Sequence, residues 1–235
     1  MTSFPRRFYR QVDYLPAETG WQIALDGKSL RSPARADLVL PTERLARAIK
    51  TEWDAQEDHI RPHLMPMMQL ASTAVDRIGP NHAKVVIETA GYAGSDLVCY
   101  RAEVPEELVR RQEQHWQAVL DWANHRFDTA LQATTGIVAI AQSPASLARF
   151  EQVVSAIEPW RLTALASLTG STGSLVIALA VFERHLTPEQ AVMAAQLDEL
   201  YQAERWGEDA EAQQRRQALA RDIADAARFL DLLEE

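Results

Sequence analysis

The sequence predicts an α+β chain: a small strand-rich N-terminal domain with one packed helix over residues 1–80, then a larger all-helical, bundle-like C-terminal domain over 81–235. Three observations predict it. Short apolar–polar alternation broken by turn residues fills the first forty positions. From Ala83 onward, apolar residues recur at three- and four-residue spacing almost to the end. Between the two patterns, Arg77-Ile78-Gly79-Pro80-Asn81-His82 concentrates the residues that interrupt regular structure. A chain of 235 residues suits two small domains better than one large one.

In order along the chain, Trp21-Gln22-Ile23-Ala24-Leu25 alternates as a half-buried strand does, and Asp26-Gly27 is a hairpin turn signal. Lys28–Ser32 is the return strand, stopped by Pro33, and Leu38-Val39-Leu40 is a further short strand stopped by Pro41. Thr42 then caps a helix carrying Leu45, Ile49 and Trp53 on one face. Pro62 and Pro66 forbid its continuation, so it frays near His59. In the second domain, Pro105 opens a helix containing Leu108, Trp116, Val119 and Trp122. Ser143-Pro144 and Thr187-Pro188-Glu189-Gln190 read as helix starts, the latter a full capping box. Leu175–Phe182 is apolar all round, as a helix buried on every side must be. The final helix places Leu219, Ile223, Ala226, Leu230 and Leu233 on one face, enough for bundle packing and too short for an extended coiled coil.

Composition narrows the function. Hydrophobic residues are 47% and charged residues 24% of the chain, enough apolar surface for a packed core. The 33 acidic and 24 basic residues leave a formal charge of −9, which disfavours nucleic acid or an anionic membrane as partner. The last 49 residues hold 12 of those acids against 5 bases. Cys99 is the only cysteine, in an apolar stretch, and reads as a buried structural thiol in a reducing compartment. The N-terminal stretch MTSFPRRFYR lacks the apolar run of a signal peptide, and Leu175–Phe182 falls far short of the ~20 residues that cross a bilayer. The expectation is a soluble protein without stable membrane insertion.

Candidate chemistry is thin. Thr169-Gly170-Ser171-Thr172-Gly173-Ser174 resembles a phosphate loop superficially, but Ser174 stands where a lysine must reach the phosphates. It reads as a flexible cap before the apolar helix. His59 and His63 have metal-ligand spacing, yet Pro62 between them opposes a regular helix, so surface histidines are the default and no metal is expected. Glu52, Asp54, Glu57 and Asp58 are the densest carboxylates, and general acid–base work requires burial to separate their pKa values. On an exposed helix they only solubilise. A carboxylate-dependent hydrolase therefore stays a minor alternative, as does a constitutive subunit of a larger complex. Neither a cofactor nor a small-molecule substrate is implied. More informative are Trp53 and Gln56 among charged neighbours, Met65-Pro66-Met67-Met68, and Trp206-Gly207 in an acidic context. Methionine clusters and half-exposed tryptophans are adaptable protein-binding surface, although each taken alone is more often core.

Taken together, ordered blocks along nearly the whole chain resemble the ATP synthase alpha-subunit assembly chaperone family of mitochondria and alphaproteobacteria. They are Arg6-Arg7-Phe8-Tyr9, then Leu25-Asp26-Gly27-Lys28-Ser29-Leu30-Arg31-Ser32-Pro33, then Glu52-Trp53-Asp54-Ala55-Gln56 with Met65-Pro66. Ser95-Asp96-Leu97 follows in the second domain, and Glu199-Leu200, Gln202 and Trp206-Gly207-Glu208-Asp209 near the end. Ser32 and Ser95 replace the family's usual threonines. The resemblance implies a chaperone without nucleotide or metal, whose partner is the free alpha subunit of the catalytic sector. On it, the expected partner-binding residues are Glu52, Trp53, Gln56, Met65 and Pro66, together with Gln202, Trp206, Gly207, Asp209 and Glu211. Trp53 and Trp206 have the alternative role of joining the domains. A bacterial cytoplasm is the expected compartment, with a processed mitochondrial matrix form as the alternative.

Overall fold

The hairpin that opens the fold follows from its turn. In the computed structural model, which describes residues 4–136 and 139–235, Asp26 (φ +48°) and Gly27 (φ +78°) are both left-handed. That is the turn whose twist matches a right-handed β ribbon. The first three residues of the N-terminal stretch lie outside the described residues. Strands β1 (Val12–Ala17), β2 (Gly20–Leu25) and β3 (Lys28–Ser29) form an antiparallel sheet in that order, with Val12 opposite Leu25 and Leu25 opposite Lys28. Ile23, Ala24 and Leu25 are buried. The sequence pattern omits β1, because Pro16 and exposed Leu15 blur its alternation. The return strand, Lys28–Ser29, is also shorter than the predicted Lys28–Ser32. Leu38–Leu40 is not a strand: Leu40 pairs with Trp21 in an isolated bridge, and Asp37, just before the segment, pairs with Arg31. Trp21 and Leu40 exchange both backbone hydrogen bonds (2.9 and 2.7 Å), and a side chain at Gly20 would lie 2.4 Å from the Leu40 carbonyl oxygen. Only glycine fits there.

Helix α1 (Glu43–Asp54) starts at Thr42, whose hydroxyl accepts from the Leu45 N–H (3.2 Å), and it buries Leu45, Ile49 and Trp53 as predicted. After a 3₁₀ turn at Pro62–Leu64, α2 (Pro66–Thr73) begins with proline at its first position. The breaker-rich segment that follows does not interrupt the helical path. Ala74–Ile78 is π-helical and Gly79–Asn81 is 3₁₀, leading directly into α3 (His82–Gly91). A proline removes one N–H, and a change of helical pitch absorbs the loss.

Next come β4 (Tyr100–Arg101), α4 (Glu106–Gln112), a π-helical turn at Glu113–Gln117, α5 (Ala118–Phe127) and β5 (Thr134–Thr135), the last parallel to β4. Helices α6 (Pro144–Ser155), α7 (Pro159–Thr172), α8 (Leu175–Phe182), α9 (Pro188–Ala195), α10 (Leu197–Trp206) and α11 (Ala210–Leu232) complete the chain. The capping box at Thr187–Gln190 is present, and every residue from Leu175 to Val181 is buried.

By contacts the chain divides into two compact units. The first is Met1–His82 with Pro159–Ala164 and Arg228–Glu235, and the second is Ala83–Glu158 with Leu165–Ala227. Within the first, Phe229 (fully buried) stacks on Trp160 at 6.4 Å, and Arg44 donates to the Glu234 carbonyl (3.1 Å). Within the second, the Trp116 indole donates to the Ala194 carbonyl (2.8 Å), tying the α4–α5 run to α9. The fold is α+β, with an antiparallel sheet and one helix on it followed by a mainly helical region. No helix among the described residues is long and apolar enough to cross a membrane.

Candidate functional site

Two clefts collect most of the residues singled out in the sequence. The first, about 510 Å³, lies in the first unit and is mostly apolar. Pro33 and Leu30 from the segment after β3, Trp53 from α1, Ile60, and Met65 and Met68 at the start of α2 supply its apolar surface, with Ser72 and Thr73 at its rim. Trp53 is 7% exposed, not half-exposed as its charged neighbours suggest, and Met65, from the methionine cluster, is 2% exposed. The Trp53 carbonyl accepts from the Tyr9 hydroxyl (2.7 Å), while its own indole N–H has no hydrogen-bond partner among the described residues.

Glu52 and Gln56 stand beside this cleft and hold its walls. Glu52 takes the backbone N–H groups of Met67 (2.7 Å) and Met68 (2.8 Å) on its two carboxylate oxygens. It therefore caps α2 where Met65 cannot, and a negative charge at a helix start is favourable. Gln56 is buried; its amide donates to the Glu52 carbonyl (3.0 Å) and accepts the Arg61 N–H (2.7 Å). Pro66 is half-buried at the first position of α2. The densest carboxylate group thus contains a structural cap, not a solubilising side chain.

The second cleft, about 530 Å³, belongs to the second unit and lies where α10 ends and α11 begins. Gln202, Trp206, Gly207 and Asp209 all line it. Trp206 is 76% exposed. Gly207 (φ +80°) ends α10 in the left-handed region, which lets the chain turn into α11. Asp209 Oδ1 accepts the Ala212 N–H (2.6 Å) across the start of α11, and Glu211 pairs with Arg215 (2.6 Å). Sequence reading did not single out Arg215, Arg216 and Leu219 as lining residues here. They sit about one and a half to two and a half turns into α11, on the side that faces the cleft, and only the fold shows which side that is.

The phosphate-loop lookalike has a different part to play. Thr169 and Thr172 are buried in the last turn of α7, their hydroxyls bonding the Leu165 and Leu168 carbonyls (both 2.8 Å). Ser174 is the buried cap of α8, so Thr169, Thr172 and Ser174 pack into the core while Gly170 stays exposed. The Ser174 hydroxyl donates to Asp96 Oδ1 (2.5 Å), and Asp96 also accepts the Val176 (3.0 Å) and Val98 (3.2 Å) N–H groups. Burial pushes the Asp96 carboxyl up to about 6, against those hydrogen bonds, which pull it down. Burial likewise pushes the Cys99 thiol up to about 12, in keeping with a structural role. Among the described residues, no three His, Cys, Asp or Glu side chains are grouped to hold a metal ion.

Comparison with known proteins places the chain in a family. The family model described as ATP12 chaperone protein matches residues 6–124. "Protein atp12, mitochondrial" from Schizosaccharomyces pombe is 25% identical over 214 residues, covering 86% of this chain and 74% of that protein. The crystal structure of Atp12 from Paracoccus denitrificans superposes with a TM-score of 0.93 at 36% identity, over 98% of this chain and 99% of that one. A structure from Agrobacterium tumefaciens does so with 0.93 at 39% identity, over 98% and 87%. The matched family is one of chaperones and not of enzymes. With its model spanning just over half of the sequence and two bacterial structures above 30% identity across nearly all of it, the chain belongs to the ATP12 chaperone family.

Proposed function

We propose that this protein holds the free alpha subunit of the ATP synthase catalytic sector and covers its subunit-pairing surface until assembly. The observation that carries the reading is Trp206: a tryptophan left 76% exposed on the rim of a formed cleft, in a member of a chaperone family. Large aromatic side chains are normally buried, and an exposed one on a structured rim suits a protein partner. The apolar first cleft offers a second contact, through Trp53 and Met65 with Glu52, Gln56 and Pro66 as its supports. An unpaired alpha subunit exposes apolar surface and aggregates, and a holder lowers its free concentration by mass action. Polar and acidic contacts at Gln202, Asp209 and Glu211 keep the grip exchangeable, so that the true neighbour displaces the holder. The bacterial relatives support a bacterial cytoplasm as the compartment.

The test is coexpression with the alpha subunit, scoring its soluble, monomeric yield. That yield should depend on this chain and should fall at least several-fold with Asp209→Lys or Glu211→Lys. Circular dichroism guards against simple unfolding, since Asp209 also caps α11. An alpha subunit equally soluble without this chain sinks the proposal. If the folded lysine variants hold the client as well as the wild type, the acidic contact alone falls. Mass spectrometry of finished synthase should find the chain absent, whereas a constitutive subunit would appear in fixed stoichiometry.

A further inference from the structure

Among the described residues around the end of α10, nearly every cation already has a carboxylate, while the carboxylates of Glu199 and Asp209 have no cation. Arg205 pairs with Glu107 (2.6 Å) and lies over the Tyr201 ring (5.0 Å). Arg111 pairs with Glu107 and Glu204 and also lies over the Tyr201 ring (5.3 Å). Tyr201 is therefore an aromatic ring with arginines stacked on it, each steered by a carboxylate. Inside the second cleft, Arg215 is taken by Glu211 and Arg216 by Glu208. Among the described residues, the Glu199 carboxylate has no hydrogen-bond or ion-pair partner and the Asp209 carboxylate accepts only the Ala212 N–H. Among the described residues, no cation lies over the Trp206 ring.

Glu199, Gln202 and Trp206 follow one another at three- and four-residue spacing, so they share one face of α10, and all of them line the cleft with Asp209. Trp206 thus repeats the arrangement at Tyr201, an aromatic face with acids beside it, but without the arginine. A π face next to uncompensated negative charge attracts a cation and repels an anion. A planar guanidinium suits both parts, since it stacks on the ring and donates in parallel to a carboxylate. An ammonium is a more strongly hydrated point charge and stacks less well.

We infer that this cleft receives an arginine side chain of the client, stacked on Trp206 and held by Glu199 and Asp209. The inference rests on the client reading above and names the chemistry of one of its contacts. Its test is titration of purified free alpha subunit with the full-length chain at several salt concentrations. The wild type is compared with Glu199→Gln, Trp206→Phe and Trp206→Leu, each checked for folding by circular dichroism. Glu199→Gln should weaken binding about tenfold at low salt and flatten its salt dependence. Trp206→Phe should stay within a few-fold of wild type, whereas Trp206→Leu, apolar but without a π face, should lose about tenfold. Equal binding by the Phe and Leu variants, or an unchanged salt dependence in Glu199→Gln, overturns the inference while leaving the client intact. A wild-type chain that does not bind the alpha subunit overturns both.

Discussion

Asp96 is a carboxylate whose environment penalises its charge. It is wholly buried, and its partners are the Ser174 hydroxyl and backbone N–H groups at the start of α8 and at Val98. Its folded pKa of about 6 lies above the ordinary carboxylate value, so the folded state holds the proton more tightly than the unfolded chain does. The stability contributed by that proton is full below about pH 4 and is lost as pH rises through 6, a change of order 3 kcal/mol. Asp96→Asn has no such proton to lose. The stability of the wild type relative to this variant should therefore fall as pH is raised from 4 to 6.5 in urea titrations, and a constant difference would refute it. The two tryptophans make a different residue-level point. Trp53 and Trp206 both have charged and polar neighbours in sequence, yet one is 7% and the other 76% exposed. Neighbours one or two positions away do not determine burial; the facing element does.

At the scale of the element, local rules were mostly legible. The Asp26-Gly27 turn, the Thr42 and Thr187 caps, and the apolar α8 are each specified by residues within about four positions of one another. Helix α2 is the exception that shows why some starts stay hidden. Its cap is not a neighbour but Glu52, fifteen residues earlier on α1. Glu52→Ala leaves two N–H groups at the start of α2 without their acceptor and should cost about 1–2 kcal/mol. A lowered urea midpoint with earlier amide exchange at Met67 and Met68 would show it, and an unchanged midpoint would remove the cap from the account. The same change should loosen Met65 and Met68, which links this helix start to the apolar cleft that they line.

For the molecule as a whole, contacts distant in sequence decide the boundaries. Residues 159–164 and 228–235 belong to the unit otherwise made of residues 1–82. The Thr42 hydroxyl, besides capping α1, donates to the Leu232 carbonyl (2.5 Å), and Phe229 is fully buried against Trp160. Phe229→Ala should therefore destabilise this first unit by roughly 3–5 kcal/mol, read as an early loss of its tertiary signal on denaturation. An effect below 1 kcal/mol would mean that the C-terminal turn contributes little to it. By itself the sequence determined the α+β class, the hairpin, the caps, the buried α8 and the family resemblance. All of these rest on spacing and residue type over short stretches or in fixed order. Only the tertiary structure decided that Glu52 is a cap, that Trp53 is buried and Trp206 is not, and that the last residues complete the N-terminal unit. Burial and partnering are set by whatever packs opposite a side chain, and that element lies tens to hundreds of positions away.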